Sequence, residues 1–269
     1  VPGKGKYEMR LLNSLVIAIS MYSKIPVPTV DWNEKNMKYA MCFFPVVGVI
    51  TGVLELGIGY FLLEYASCGK FFFAAVMSLI PVLVTGGIHL DGYADTIDAI
   101  SSYGDREKKL QILKDPHTGA FAVIGLCVYF VAVLALWSEA EPDMLPTAAC
   151  MYPLSRSLSG ISVVSFHPAK NSGLLRMFRD GAQKKRVRIV LILWACICAG
   201  IMLYLGWQQG VASAAAAAAV IAAALLVFAY YYRMSRKKFG GTTGDLAGYF
   251  LQMCELAMLA VIVLAGKII

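Results

Sequence analysis

Charge is what this 269-residue chain has least of: Asp, Glu, Lys and Arg together make up 15% of it, against 59% hydrophobic residues. With a mean hydropathy of +0.67, so few charged groups cannot cover a globular surface of this size. A soluble domain is excluded, and an integral membrane protein is expected. Alternation of polar and apolar residues over strand-length segments is also missing, which excludes a barrel and leaves helices. There are three histidines and no Cys-x-x-Cys pair, so the seven cysteines read as small buried hydrophobes. No Lys-Ser or Lys-Thr follows a glycine cluster, which excludes a Walker A loop. No nucleic-acid motif accompanies the net charge of +7, so no nucleic-acid partner is expected.

Long apolar runs, by contrast, are abundant. Runs of the roughly 20 residues that cross a bilayer fall at 40 to 63, 71 to 89, 119 to 137, 145 to 166, 187 to 207, 211 to 232 and 246 to 266. The expected fold is all-α, a polytopic membrane bundle of about seven transmembrane helices in one domain over residues 1 to 269. An earlier run at 11 to 22 is too short to span and carries Asn13, Ser14 and Ser20. It is expected to be an interfacial or re-entrant helix, and no cleavable leader is expected. With these spans, 21 of the 24 Lys and Arg fall on one side, in 1 to 39, 90 to 118, 167 to 188 and 233 to 245. Glu64, Glu139, Glu141 and Asp143 fall on the other. Basic residues accumulate in cytoplasmic loops, so a multi-pass protein of the inner membrane is expected, with its basic end in the cytoplasm.

Acidic residues are scarce but not scattered. In "GGIHLDGYADTIDA", residues 86 to 99, Asp91, Asp95 and Asp98 project at about 0°, 40° and 340° around a helix. Like charges on one face repel, by a few tenths of a kcal/mol for each i,i+4 pair. A solvated helix face is the plain alternative. Oxygen-only donors favour a hard cation, Mg²⁺ or Mn²⁺, of the kind that also meets substrate phosphates. Asp115, after the basic segment ending at Lys114, is placed to fold back onto that site. Gly86, Gly87 and Gly92 permit close approach by a ligand or helix. His89 lies about 160° from Asp91 and reads as structural or hydrogen-bonding, and His117 and His167 as ordinary surface residues.

A second polar knot, "GGTTGD" at 240 to 245, opens the last run on the same side. Helix N-terminal amides there would receive a phosphate through Gly241, Thr243 and Gly244. Asp245 is either a first-turn cap or a ligand for metal or a substrate hydroxyl. Glu55, Arg156 and Glu255 lie inside runs, where charge is expensive and tends to face the bundle interior. Arg156 has two readings, as a partner for substrate phosphate or as a structural bridge to Glu55 or Glu255.

"GGIHLDGYADTIDA", "LKDPHTGAF" and "GGTTGD" together resemble the cobalamin synthases, the adenosylcobinamide-GDP ribazoletransferases. "KIPVP" at 24 to 28, "FFPVVGVITG" at 43 to 52, the Ser155-Arg156 pair and "SGLL" at 172 to 175 extend the resemblance over nearly the whole chain. It implies a Mg²⁺-dependent phosphotransferase that joins α-ribazole or α-ribazole 5′-phosphate to adenosylcobinamide-GDP with release of GMP. The product would be adenosylcobalamin or its phosphate. The implied site is Asp91, Asp95, Asp98 and Asp115, with Arg156 and Asp245 as further polar groups and His89, Lys114 and Glu255 toward the substrates. Pro116, Ala122 and Gln252 depart from the family pattern. A homo-oligomer is compatible with this reading. The alternatives are a CDP-alcohol phosphotransferase with another substrate, whose D-x-x-D-G-x-x-A-R order differs, or an ion-coupled transporter using Glu55, Arg156 and Glu255.

Overall fold

The computed structural model describes residues 4–66, 68–169 and 183–268, with side chains from Met9 onward. The "SGLL" block lies outside the described residues. Among those described, every regular element is helical. In chain order they are α1 (Lys4–Tyr22), α2 (Glu34–Met37), α3 (Phe44–Tyr60), α4 (Lys70–Thr85), α5 (Ile88–Ser101) and α6 (Arg106–Ile112). Then come α7 (Ala120–Ser138), α8 (Leu145–Ser165), α9 (Lys184–Gln209), α10 (Val211–Met234) and α11 (Gly244–Gly266).

Among the described residues, five segments are long and apolar enough to cross a bilayer: Ala40–Tyr65, which contains α3, then α7, α9, Val211–Phe239, which contains α10, and α11. The expected all-α polytopic bundle is the fold found, with its count of spans altered at two places. The run at 71 to 89 does not continue as one helix. Gly86 and Gly87 adopt φ of 65° and 79°, left-handed values open to glycine at little steric cost, and α5 leaves α4 at 98°. The Lys24 amide donates to the Val84 carbonyl at 2.8 Å, so the strand of chain after α1 caps the broken end. The apolar run ends at Leu90, and Asp91 to Ser101 continue as a polar helix beyond it.

The second place is α8, which is 21 residues long but too polar to count as a span by composition. Its Ser155, Ser157, Ser159 and Ser162 and its Arg156 are nonetheless buried, because α3, α9 and α11 surround it. Pro153 lacks the N–H that would meet the Ala149 carbonyl one turn back. Gly52 of α3 packs directly on that carbonyl, and a side chain at Gly48 would fall 2.6 Å from the Pro153 nitrogen. Small residues four apart thus let α3 and α8 touch backbone to backbone, the usual basis of tight helix pairing in lipid.

Burial separates the central helix from the outer ones. The most apolar stretch of α11 is 72% buried, whereas that of Val211–Phe239, which includes the alanine tract, is 17% buried and faces outward. The two ends of the bundle are those expected from charge. Lys267 pairs with Glu139 at 3.1 Å and Glu141 at 3.6 Å at one end. At the other, the Arg106 guanidinium of α6 sits on Gly240, joining the 90 to 118 and 233 to 245 segments.

Candidate active site

The acidic site is built where α5 crosses the first turns of α11. Gly92 makes this crossing close: a Cβ there would stand 2.8 Å from the Cα and carbonyl oxygen of Asp245. Gly248, one turn further along α11, packs on the His89 backbone, where an added Cβ would stand 2.9 Å from the His89 carbonyl oxygen. Gly119, at the start of α7, lies against the Asp98 carboxylate. One glycine on the polar helix and one on each of two neighbours therefore let α5 pack closely.

The result is a gathering of four carboxylates, Asp91, Asp95 and Asp98 from α5 and Asp245 from α11. Burial pushes the Asp95 carboxyl up to about 6, and the charges of Asp91, Asp245 and Asp98 push the same way. Among the described residues, no basic side chain offsets these effects at Asp95, and mutual repulsion of this kind is what a bound cation would relieve. Among the described residues, no three His, Cys, Asp or Glu side chains already converge as a metal cage. The donor set is nevertheless the oxygen-only kind that a hard divalent cation uses, completed by water and substrate phosphate. In chemistry the residues fit Mg²⁺.

Asp245 is not the helix cap. Thr243 is, its hydroxyl accepting from the Leu246 amide at 3.2 Å, which leaves Asp245 in the first turn beside Gly92. The glycine-rich turn ahead of it is tied down. The amides of Gly240, Gly241 and Thr242 donate to the carbonyls of Arg236, Ser235 and His167, and Pro168 and Thr242 form an isolated parallel bridge. The expected amide cradle is thus narrower than the sequence suggested: Gly241 gives its N–H to the fold, and the dipole end that remains is the first turn beginning at Gly244.

Asp115 and Lys114 are exposed on the loop after α6 and are not brought to the other aspartates. The Asp115 carboxylate accepts from the His117 amide at 3.0 Å and pairs with its Nδ1 at 2.7 Å. Those contacts hold its carboxyl below the usual range. His117 and His167 are exposed, as expected of them.

Arg156 and Glu255 are brought to each other. Arg156 is 1% exposed, and its guanidinium pairs with Glu255 Oε1, which also accepts from Ser155 Oγ at 2.7 Å. The guanidinium lies 5.3 Å from the centroid of the Tyr152 ring, and the Tyr152 hydroxyl donates to Glu55 at 2.6 Å. Of the two readings of Arg156, the bridge inside the bundle is the one formed, and Glu255 is its partner. Sequence reasoning missed Tyr152 and the Tyr129 hydroxyl bonded to Gln252. Tyr129 is a polar group on the otherwise apolar α7 and Tyr152 lies one turn from Arg156 on α8, and these placements near intramembrane acids were the available signal. It also missed Tyr22 and Phe44, which with His89 line a cavity beside Asp91 and Asp245.

Fold and site together define a polytopic helical membrane protein with an acidic site where a polar helix meets the N-terminus of its central span. Residues 14–263 match the family model described as cobalamin-5-phosphate synthase, and the chain belongs to that family. It is 44% identical to the adenosylcobinamide-GDP ribazoletransferase of Lachnoclostridium phytofermentans over 265 residues, 97% of each chain. It is 37% identical over 248 residues to the protein of that name from Clostridium botulinum (strain Eklund 17B), covering 91% of this chain and 95% of the relative. To the one from Treponema denticola it is 32% identical over 259 residues, 93% and 96% of the two chains. No solved structure matches this chain.

Proposed function

We propose that this protein joins α-ribazole, or α-ribazole 5′-phosphate, to adenosylcobinamide-GDP and releases GMP. The observation that carries this reading is the fourth aspartate, Asp245, whose backbone packs on Gly92 of α5 and whose charge acts on Asp95 together with those of Asp91 and Asp98. An acidic cluster beside a helix N-terminus suits a reaction between phosphate-bearing molecules, where the protein supplies positioning and charge neutralisation. The names of the relatives supply the substrates.

In the proposed reaction a ribose-side oxygen of the acceptor bonds to the corrinoid-side phosphorus. The bond from that phosphorus to the oxygen of GMP breaks, and the attacking hydroxyl loses its proton. Asp91, Asp95, Asp98 and Asp245 would hold Mg²⁺, which when bound neutralises charge on the attacking and leaving oxygens. The first turn of α11 turns its positive dipole end toward the same place and favours a phosphate there. Thr243 fixes that turn through Leu246, and the Pro168–Thr242 bridge fixes the approach to it. The basic end of the bundle supports a site on the cytoplasmic side of an inner membrane, where water-soluble substrates would reach it.

The test is purified protein in lipid with adenosylcobinamide-GDP and α-ribazole phosphate, with and without Mg²⁺, following GMP. GMP formation that requires both substrates is expected. No GMP with all components present would refute the transfer, and undiminished GMP after chelation would refute the metal.

A further inference from the structure

Where α1 and α2 meet the start of α9, a basic pocket adjoins an apolar groove. The pocket is small, about 70 Å³, and Arg10, Lys35 and Lys38 line it together with Leu11 and Tyr39. The groove measures about 490 Å³, shares Leu11 and Tyr39 with the pocket, and runs on over Phe43, Val46, Ile189 and Trp194. Among the described residues, Arg186 is the only charged side chain of the groove, and neither lining contains a carboxylate. The cations come from separate elements, and contacts within the fold hold them together. Ser14 Oγ of α1 donates to the Asn36 carbonyl of α2 at 2.5 Å, which sets Arg10 beside Lys35 and Lys38. The Lys38 ammonium lies 5.9 Å from the centroid of the Tyr39 ring, and the Tyr39 hydroxyl accepts from the Arg186 guanidinium at 3.3 Å. A cleft lined by charge of one sign concentrates the opposite charge in it.

We propose that pocket and groove together bind one anionic phospholipid of the surrounding bilayer, its headgroup phosphate on Arg10, Lys35 and Lys38 and an acyl chain along the groove to Trp194. Location selects a lipid. Beyond Tyr39 the groove walls belong to two membrane-spanning segments, Ala40–Tyr65 and α9, and Ile189 is half exposed, so the groove opens toward the acyl chains. Arg186 and Trp194 are about two turns apart, roughly 12 Å along α9, which carries the groove from the interface into the hydrocarbon. A water-soluble phosphate compound fits the pocket but gains nothing from that wall. Charge selects the headgroup. A zwitterionic lipid would set its own ammonium among the cations, whereas an anionic one brings negative charge alone, and basic pockets at the cytoplasmic ends of membrane helices suit such headgroups. This site is independent of the transfer reaction proposed above.

Trp194 supplies a local reporter. The protein is placed in phosphatidylcholine nanodiscs containing increasing shares of a lipid with brominated acyl chains, and Trp194 quenching is read as the difference between wild type and Trp194→Phe. Half-quenching should need at least tenfold less phosphatidylglycerol than phosphatidylcholine of the same chains, since each Lys or Arg near the surface is worth about fivefold. Lys35→Gln with Lys38→Gln should erase most of that preference. Lys237→Gln with Lys238→Gln, which removes the same charge from the same end of the bundle, should leave it intact. Val46→Phe should weaken both lipids by narrowing the groove. Inorganic phosphate should displace neither lipid beyond the effect of chloride at equal ionic strength. Equal quenching by the two lipids in wild type overturns the proposal, as does a preference untouched by the change at 35 and 38 or lost equally with that at 237 and 238. Displacement by phosphate, or unchanged binding in Val46→Phe, overturns the lipid as occupant. If the variant at 35 and 38 does not fold, Arg10→Gln compared with Lys237→Gln decides in its place.

Discussion

Gly92 and Asp245 meet backbone to backbone, and through that contact a residue far along the chain joins the aspartates of α5. A Cβ at 92 would stand 2.8 Å from two backbone atoms of Asp245, neither of which can rotate away. Gly92→Ala should therefore push α5 off α11. Overpacking of this kind costs about 1 to 3 kcal/mol, and a shift of about an ångström at a reacting centre costs on the order of a hundredfold in rate. The expected outcome is a protein that still inserts, melts at a lower temperature and releases GMP at least an order of magnitude more slowly.

The three aspartates of α5 should behave in the opposite sense on stability. Each Asp→Asn change at 91, 95 or 98 removes a charge that its neighbours oppose. Stability of the metal-free protein should be unchanged or rise by a few tenths of a kcal/mol. GMP release should fall about a hundredfold or more, because charge neutralisation at the transferring phosphorus is lost. Melting temperature and turnover measured on the same preparations in the presence of chelator and of Mg²⁺ check both halves. Full turnover in all three variants would end the metal assignment.

The acidic face and the two ends of the bundle were legible because they depend on local quantities, helical angle and loop charge. Asp91, Asp95 and Asp98 needed only a period of about 3.6 residues. Glu139 and Lys267 needed only span counting, and they do pair. What depends on contacts between distant segments was not legible. The break at Gly86–Gly87 rests partly on Lys24, whose amide caps Val84. The closeness of Asp245 rests on the absence of a side chain at Gly92, and the choice of Glu255 over Glu55 by Arg156 rests on helix rotation within the bundle. Polar residues on α8 argue for burial as well as against spanning, and composition alone cannot separate the two.

The common end of the 90 to 118 and 233 to 245 segments gives a topology prediction. Tyr103 and Lys238 are exposed at that end, and Glu141 at the other. Cysteines introduced singly at these positions, with the exposed native Cys127 and Cys196 replaced, should divide accordingly. A membrane-impermeant thiol reagent should reach 103 and 238 only from the cytoplasmic side and 141 only from outside. Labelling of 103 and 238 from opposite faces would contradict the bundle, and labelling of all three in the reverse sense would contradict its orientation.

Arg156 and Glu255 form a fully buried ion pair, and its physics differs from that of a substrate-binding arginine. Both partners are withdrawn from solvent, so removing one leaves a charge without compensation, typically at about 3 to 5 kcal/mol. Replacing both by apolar residues of similar volume is often close to neutral. Glu255→Gln and Arg156→Met should each lower the melting temperature in detergent sharply, and Arg156→Met with Glu255→Leu should recover most of the loss. Arg156→Lys should also destabilise, since a single ammonium group cannot both meet Glu255 and reach the Tyr152 carbonyl, which now accepts from the guanidinium at 3.3 Å. In each variant the fraction that remains folded should bind adenosylcobinamide-GDP as the wild type does. If Arg156 instead holds substrate phosphate, Arg156→Lys will melt normally and bind that substrate weakly, and the double replacement will restore nothing.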